Sequence, residues 1–274
     1  MAFKIALGQV TTSEKKSENL RKGLRFIRTA AENGADLLVL PELLMAYREL
    51  SDPPEKFYET AETLSGHFVE TMAAEAKARK IHVAFGMFEK SESRNLVYNT
   101  VAMVGPDGSL LGSHRKVQLF DSFGYKESSR IAPGDELEDV FETKLCRIGM
   151  ISCYELRFPE LARILTLRGA DLIVVPTGWV AGRLKEDHLR VLASARALEN
   201  TVFVAVACQT GRIFTGRSVV VDPFGIPICD GGEEEGIVMA KIDLQRIARV
   251  RKALPVLKHL RREIYGGFWR EQKL

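Results

Sequence analysis

The chain has 274 residues, 46% hydrophobic and 27% charged, which is ordinary globular composition with length for one large core or two small ones. Its net charge of +3, with no long Lys/Arg block, gives no support to nucleic-acid binding. Four cysteines without a CxxC pair argue against a disulfide framework, and five scattered histidines without ligand spacing argue against a metal site. A reducing, cytoplasmic setting is expected, because the opening MAFKIALGQV turns polar too early for a signal peptide and no apolar run approaches membrane-spanning length.

In chain order, residues 3–10 read as a strand. Thr12 or Ser13 is placed to cap a helix whose apolar face is Leu20, Leu24, Ile27 and Ala31, and Gly34 ends it. Residues 36–41, DLLVLP, form a continuous apolar run, as expected of a strand covered on both faces. A helix over about 65–80 and the strand IHVAFGMF follow, then a hairpin of 95–104 and 109–116 about the turn Gly-Pro-Asp-Gly. Residues 117–136 read as a loop. Residues 144–168 pass from a strand through Cys153 into a helix opened by Pro159, and DLIVVP at 171–176 is a second buried strand. A helix over 185–199, strands at 201–208, 218–222 and 236–242, and a short helix capped by Asp243 complete the pattern.

An internal repeat runs through it. GADLLVLP at 34–41 matches GADLIVVP at 169–176, each after an amphipathic helix, and VAMVGPDGSLL at 101–111 parallels VVVDPFGIPI at 219–228 as strand, Pro-x-Gly turn, strand. Two matches in the same order predict two similar α–β halves, each a sheet with helices on one face, packed about a pseudo-twofold. No linker separates the halves, so 1–274 reads as one domain.

Taken singly, the polar residues at the strand ends look ordinary. Cys153 alone is a buried structural thiol, Lys116 the end of a solvated basic run, and Glu42 and Glu127 surface acids. Together, Glu42, Lys116 and Cys153 occupy three strand ends, where the sites of α/β proteins lie. A thiol, a carboxylate base and an ammonium suffice for amide hydrolysis. A helix N-terminus and a nearby cation are expected to favour the thiolate of Cys153, and enclosure to raise Glu42.

At these residues the chain resembles the carbon–nitrogen hydrolase (nitrilase) superfamily, through LLVLPEL at 37–43, GSHRKVQLFD at 112–121, YKES at 125–128 and ISCYELRFPEL at 151–161. The likeness covers nearly the whole chain and is greatest to the Nit-type amidases, the omega-amidase and deaminated-glutathione amidase branch, whose usual form has Asp where this chain has Glu155. The resemblance implies a nitrilase-like four-layer α-β-β-α sandwich and a Glu42–Lys116–Cys153 triad with Glu127 as a fourth polar residue. It also implies an oxyanion site from Lys116 and the Tyr154 backbone N–H, and no metal or organic cofactor. The implied reaction is hydrolysis of a small carboxamide, such as a dicarboxylic acid monoamide, through a cysteine thioester. Hydrolysis of an N-carbamoyl amino acid or ureido acid, and a non-catalytic ligand-binding role, stand as alternatives.

Arg157 has two readings, as a partner for a substrate carboxylate or as a brace to Glu155 or Glu160. Thr177 and Trp179 are expected to line the same cleft or to pack in an ordinary loop. The tail at 254–274, with Tyr265, Phe268 and Trp269, has no evident core to join, so a homodimer or larger homo-oligomer with the tail at a subunit boundary is expected.

Overall fold

The two copies of the repeated strand take the same place in two separate sheets. The computed structural model describes residues 2–211 and 213–264. The first half contains β1 (Ala2–Gln9), α1 (Lys16–Glu32), β2 (Leu37–Val39), α2 (Pro54–Thr60), α3 (His67–Arg79), β3 (His82–Lys90), β4 (Val97–Val104), β5 (Leu110–Arg115) and β6 (Ile131–Ala132). The second contains β7 (Phe141–Glu142), β8 (Arg147–Met150), α4 (Pro159–Leu167), β9 (Leu172–Thr177), α5 (Lys185–Asn200), β10 (Phe203–Cys208), the ribbon β11 (Thr210–Gly211) and β12 (Phe214–Thr215), β13 (Val219–Val221) and β14 (Pro227–Asp230). Last come β15 (Gly236–Asp243), which returns to the first sheet, and α6 (Leu244–Ala253).

The sheets run β15-β1-β2-β3-β4-β5 and β7-β8-β9-β10-β13-β14, and they match position for position. In each, three central strands are parallel, one antiparallel strand flanks them on one side, and an antiparallel pair flanks them on the other. The predicted pseudo-symmetry is therefore present in topology as well as in sequence.

Three apolar clusters make the four layers. Leu38 and Phe85 pack outward against Phe26 and Ile27 of α1 and Phe68 and Met72 of α3. Leu37 and Val39 face inward and meet Leu172 and Val174 between the sheets. Ile173 and Val175 pack outward with Leu161 and Leu165 of α4 and Leu189 of α5. Alternate residues of DLLVLP and DLIVVP thus enter different cores, which is why both runs are apolar without interruption. Gly34 and Gly169, just past the ends of α1 and α4, hold φ of 76° and 105°, the left-handed geometry that ends a helix and turns it into the next strand.

Three expectations are corrected. Lys15, not Thr12 or Ser13, precedes α1, and it makes no side-chain cap. The Thr12 hydroxyl instead donates to Gln209 Oε1 at 2.6 Å, far away in sequence. The helix α2, with Pro54 at its start, was not anticipated because seven residues are too few to show a period. The loop at 117–136 carries a 3₁₀ turn at Glu127–Ser129 and the strand β6. Tyr265, Phe268 and Trp269 of the tail lie outside the described residues.

Candidate active site

Glu42 leaves the end of β2, Lys116 the end of β5, and Cys153 begins a 3₁₀ turn, Cys153–Arg157, after β8. The two sheets bring these ends together at one edge. Lys116 Nζ donates to Glu42 Oε1 at 2.9 Å and to Glu127 Oε2 at 2.9 Å, with Glu127 Oε1 at 3.1 Å. The Cys153 thiol lies beside the Glu42 carboxylate, and each shifts the ionisation of the other. All three are nearly enclosed, with 3%, 2% and 9% of Glu42, Lys116 and Cys153 exposed.

The supports around them were not evident in the sequence. Asn99, in β4, donates from Nδ2 to Glu42 Oε1 at 2.8 Å and to Glu127 Oε1 at 3.1 Å, so one amide ties both carboxylates. The Gly178 N–H, just past β9, donates to Glu42 Oε2 at 2.7 Å. Gln209 Nε2 donates to the Glu42 backbone carbonyl at 2.8 Å. The one available signal for Asn99 was a carboxamide, next to Thr100, inside the largely apolar strand VYNTVAMV. Nothing local marks Gly178 or Gln209, whose roles depend on the other half of the fold.

Backbone strain gathers at the same place. Cys153 holds φ of 46° and Leu43, beside Glu42, φ of 57°, a region that costs an ordinary side chain of order 1 kcal/mol or more. A buried brace holds the Cys153 turn. The Glu155 carboxylate accepts from Ser152 N at 2.6 Å and Val117 N at 2.7 Å, and it pairs with His114 Nε2 at 2.8 Å. Glu155 therefore joins the thiol turn to both sides of Lys116, through the His114 side chain before it and the Val117 backbone after it.

The electrostatics correct two expectations. Burial, and then the Glu42 charge, push the Cys153 thiol well above its ordinary value, despite Lys116. Burial opposes ionisation of Glu42, but Lys116 and the Gly178 N–H outweigh it and hold the carboxyl below its ordinary value. Burial likewise opposes the Lys116 charge, and Glu127 and Glu42 overcome it, raising the ammonium well above the ordinary value. The resting site is thus a neutral thiol beside a carboxylate–ammonium–carboxylate chain. That arrangement can pass a proton from sulfur to Glu42 as the thiol attacks.

A cavity of about 240 Å³ opens over this group, lined in part by Tyr47, Phe120, Tyr125 and Phe214. A smaller one of about 20 Å³ adjoins it, sharing Cys153, Phe120 and Gly178 and lined also by Tyr154, Arg157, Trp179 and Lys185. Trp179 therefore lies where it was expected. Thr177 does not: its hydroxyl donates back to the Val175 carbonyl at 2.9 Å, and Gly178 takes the expected place on the cleft wall. Arg157 does not brace Glu155 or Glu160 among the described residues. Its guanidinium lies 4.9 Å over the Trp179 ring, and its Nη2 is 3.5 Å from His188 Nδ1.

The sequence profile of the carbon-nitrogen hydrolases matches residues 4–252. The chain belongs to the carbon-nitrogen hydrolase family. It is 36% identical over 276 residues to omega-amidase NIT2 of Xenopus tropicalis, covering 96% of this chain and 97% of that one. It is 33% identical to deaminated glutathione amidase of Escherichia coli O157:H7, covering 94% and 97%. Among solved structures it resembles the amidase of Nesterenkonia sp. AN1, with a TM-score of 0.81 and 26% identity over 97% of this chain and 96% of that one. In that structure, a glutamate-to-glutamine mutant, the acetamide moiety of fluoroacetamide is covalently added to the active-site cysteine. The fold of this carbon-nitrogen hydrolase is that of the family, and no helix among the described residues is long and apolar enough to cross a membrane.

Proposed function

We propose that this carbon-nitrogen hydrolase is a cofactor-independent amidase that cleaves a small carboxamide through a thioester on Cys153. The observation that carries this reading is the enclosed contact of a neutral Cys153 thiol, the Glu42 carboxylate and the Lys116 ammonium at 2.9 Å from Glu42. The amidase relatives support it at the level of reaction class.

In this reading Glu42 takes the thiol proton as sulfur attacks the amide carbon, and the oxyanion gathers charge against Lys116 and the Tyr154 N–H. Glu42 then passes the proton to the departing nitrogen, so ammonia leaves and the thioester remains. A water molecule, deprotonated by Glu42, attacks the thioester, and the carboxylic acid and free thiol result. Glu127 keeps Lys116 charged and aimed, being bonded to it and to the Phe120 N–H at 2.6 Å. Arg157, Tyr154 and Trp179 line the acyl side of the cleft, where the guanidinium, unpaired with any acid among the described residues, suits a substrate carboxylate. The setting proposed is cytoplasmic and the assembly a homodimer or larger homo-oligomer.

Ammonia release across a panel of carboxamides and N-carbamoyl compounds, with Cys153→Ala as blank, tests the proposal. Release from short carboxamides is expected. Release from carbamoyl compounds alone, with carbon dioxide, would move the chain to the carbamoyl-hydrolase alternative.

A further inference from the structure

Four side chains at the strand ends make a closed ring. Lys116 Nζ and Asn99 Nδ2 each donate to both Glu42 Oε1 and Glu127 Oε1, so the two carboxylates are bridged twice, by an ammonium and by an amide. Asn99 also holds Lys116 through the main chain, because its carbonyl accepts the Lys116 N–H at 2.8 Å. One residue of β4 thus fixes three others. The arrangement costs stability elsewhere: Asn99 Oδ1 is buried and has no hydrogen-bond partner among the described residues. The amide cannot turn over to relieve it, since that would set a carbonyl oxygen against two carboxylates.

Each carboxylate oxygen accepts about two hydrogen bonds. Glu127 has no room left: Oε1 takes Lys116 and Asn99, and Oε2 takes Lys116 and the Phe120 N–H. Glu42 Oε1 is full as well, with Lys116 at 2.9 Å and Asn99 at 2.8 Å. Glu42 Oε2 takes the Gly178 N–H at 2.7 Å, and one lone pair remains on it. Among the described residues, that lone pair is the place in the two carboxylates where a proton from the neighbouring Cys153 can be received. Without Asn99, Oε1 of both carboxylates would open as well. Asn99 itself lines neither of the two cavities over Cys153.

We propose that Asn99 is a positioning residue: by filling Oε1 of both carboxylates, it makes Glu42 rather than Glu127 the proton carrier and reserves Glu42 Oε2 for the proton that moves from Cys153 to the departing nitrogen. The inference rests on the amidase reading and assigns its proton transfer to one oxygen. The S–H bond breaks and an O–H bond forms on Oε2 as sulfur bonds to the amide carbon. That O–H breaks in turn as the C–N bond does, which gives ammonia and the thioester.

The test compares kcat, KM and the pH profile of wild type, Asn99→Leu and Asn99→Ser on one short carboxamide, with sites counted by iodoacetamide labelling of Cys153. Asn99→Leu fills similar space with no donor, and Asn99→Ser retains one. Lys116, Glu127 and Cys153, the charged and titratable groups about Glu42, are intact in both. In Asn99→Leu, kcat per site should fall about a hundredfold with KM within about threefold, as a misplaced base would give. The acid limb of kcat/KM should rise by about one pH unit, since Glu42 loses a hydrogen bond to its charged form. Asn99→Ser should move both in the same direction by less, and it decides the matter if the leucine variant does not fold. A merely structural Asn99 would lower the melting temperature and the number of labelled sites while kcat per site and the acid limb stay at wild type. That result, or a raised KM at unchanged kcat, overturns the proposal. The titration of Glu42, followed by carbon NMR of protein labelled at glutamate Cδ with Glu42→Gln to assign the resonance, needs no turnover. An upward shift of about one unit is expected in Asn99→Leu, and no shift overturns the proposal. Failure of wild type to hydrolyse any amide sinks the amidase reading instead, while the NMR arm still decides what Asn99 does to Glu42.

Discussion

At the scale of single residues, the site works by keeping charge where it is paired and withholding it where it is not. Cys153 keeps its proton because burial, and then the charge of its neighbour Glu42, oppose the thiolate. Glu42→Gln should therefore separate two properties. Turnover should fall at least about a hundredfold, since the proton carrier is gone. Cys153 should still react with a haloacetamide, because loss of the Glu42 anion leaves Lys116 to favour the thiolate. Peptide mapping beside an ammonia assay checks both. Lys116→Met should cost stability as well as turnover, on the order of 3 kcal/mol, because it leaves the buried Glu42 and the partly buried Glu127 without their cation. Urea unfolding of the variant measures it, and a native midpoint would contradict the buried pairing.

The pH dependence follows from the same pairings. Glu42 is held below its ordinary 4.5 and Cys153 well above its ordinary 9.0, so kcat/KM should be level across the neutral range. Its acid limb should lie below 4.5 and its alkaline limb above 9.0. Because the folded Glu42 is more acidic than the unfolded one, its contribution to stability is present above pH 4.5 and is lost as pH falls through the lowered folded value. An acid limb near pH 6 would mean that burial, not Lys116, governs Glu42. The residue types of the site were readable from their positions at strand ends. Their charge states were not, because burial and pairing arise only when two distant halves meet.

At the scale of elements, the strand ends aim the side chains and the turns hold them. β3 passes so close behind Glu42 that a Cβ on Gly86 would lie 2.6 Å from both Glu42 Cα and Leu43 N. Gly86→Ala should thus displace the Glu42 backbone, cost about 1–3 kcal/mol and reduce turnover beyond the loss of folded protein, as active-site titration against a melting curve would show. Glu155 plays the matching part for Cys153. Glu155→Ala would strand the buried Ser152 and Val117 N–H groups, and stability on the order of 3 kcal/mol should be lost together with turnover. Strands and helices with a full period, such as α1, α5 and DLIVVP, were legible in the sequence. Elements too short for a period, such as α2 and β6, were not, and neither was the brace at Glu155, whose partners lie about forty residues upstream.

At the scale of the whole molecule, the repeat seen at 34–41 and 169–176 reports a real equivalence, with β2 and β9 at the same place in two sheets of matching order. The cleft is shared by both halves: Glu42, Asn99 and Lys116 come from one, Cys153, Gly178 and Lys185 from the other. Single-half mutations that loosen the inter-sheet core should therefore lower activity before they unfold the chain. The expected oligomer belongs to this scale too, and light scattering at micromolar concentration should return a mass at least twice 30.6 kDa.

The central claim is that the acyl group passes through Cys153, and partitioning with hydroxylamine tests it most directly. Hydroxylamine competes with water for a thioester but not for an amide attacked directly by water. Wild type, turning over a short carboxamide at rising hydroxylamine concentration, should yield a growing share of acyl hydroxamate at the expense of free acid, with each acyl product matched by one ammonia, and Cys153→Ala should yield neither. Continued ammonia release with no hydroxamate, or with Cys153→Ala within tenfold of wild type, would contradict the account.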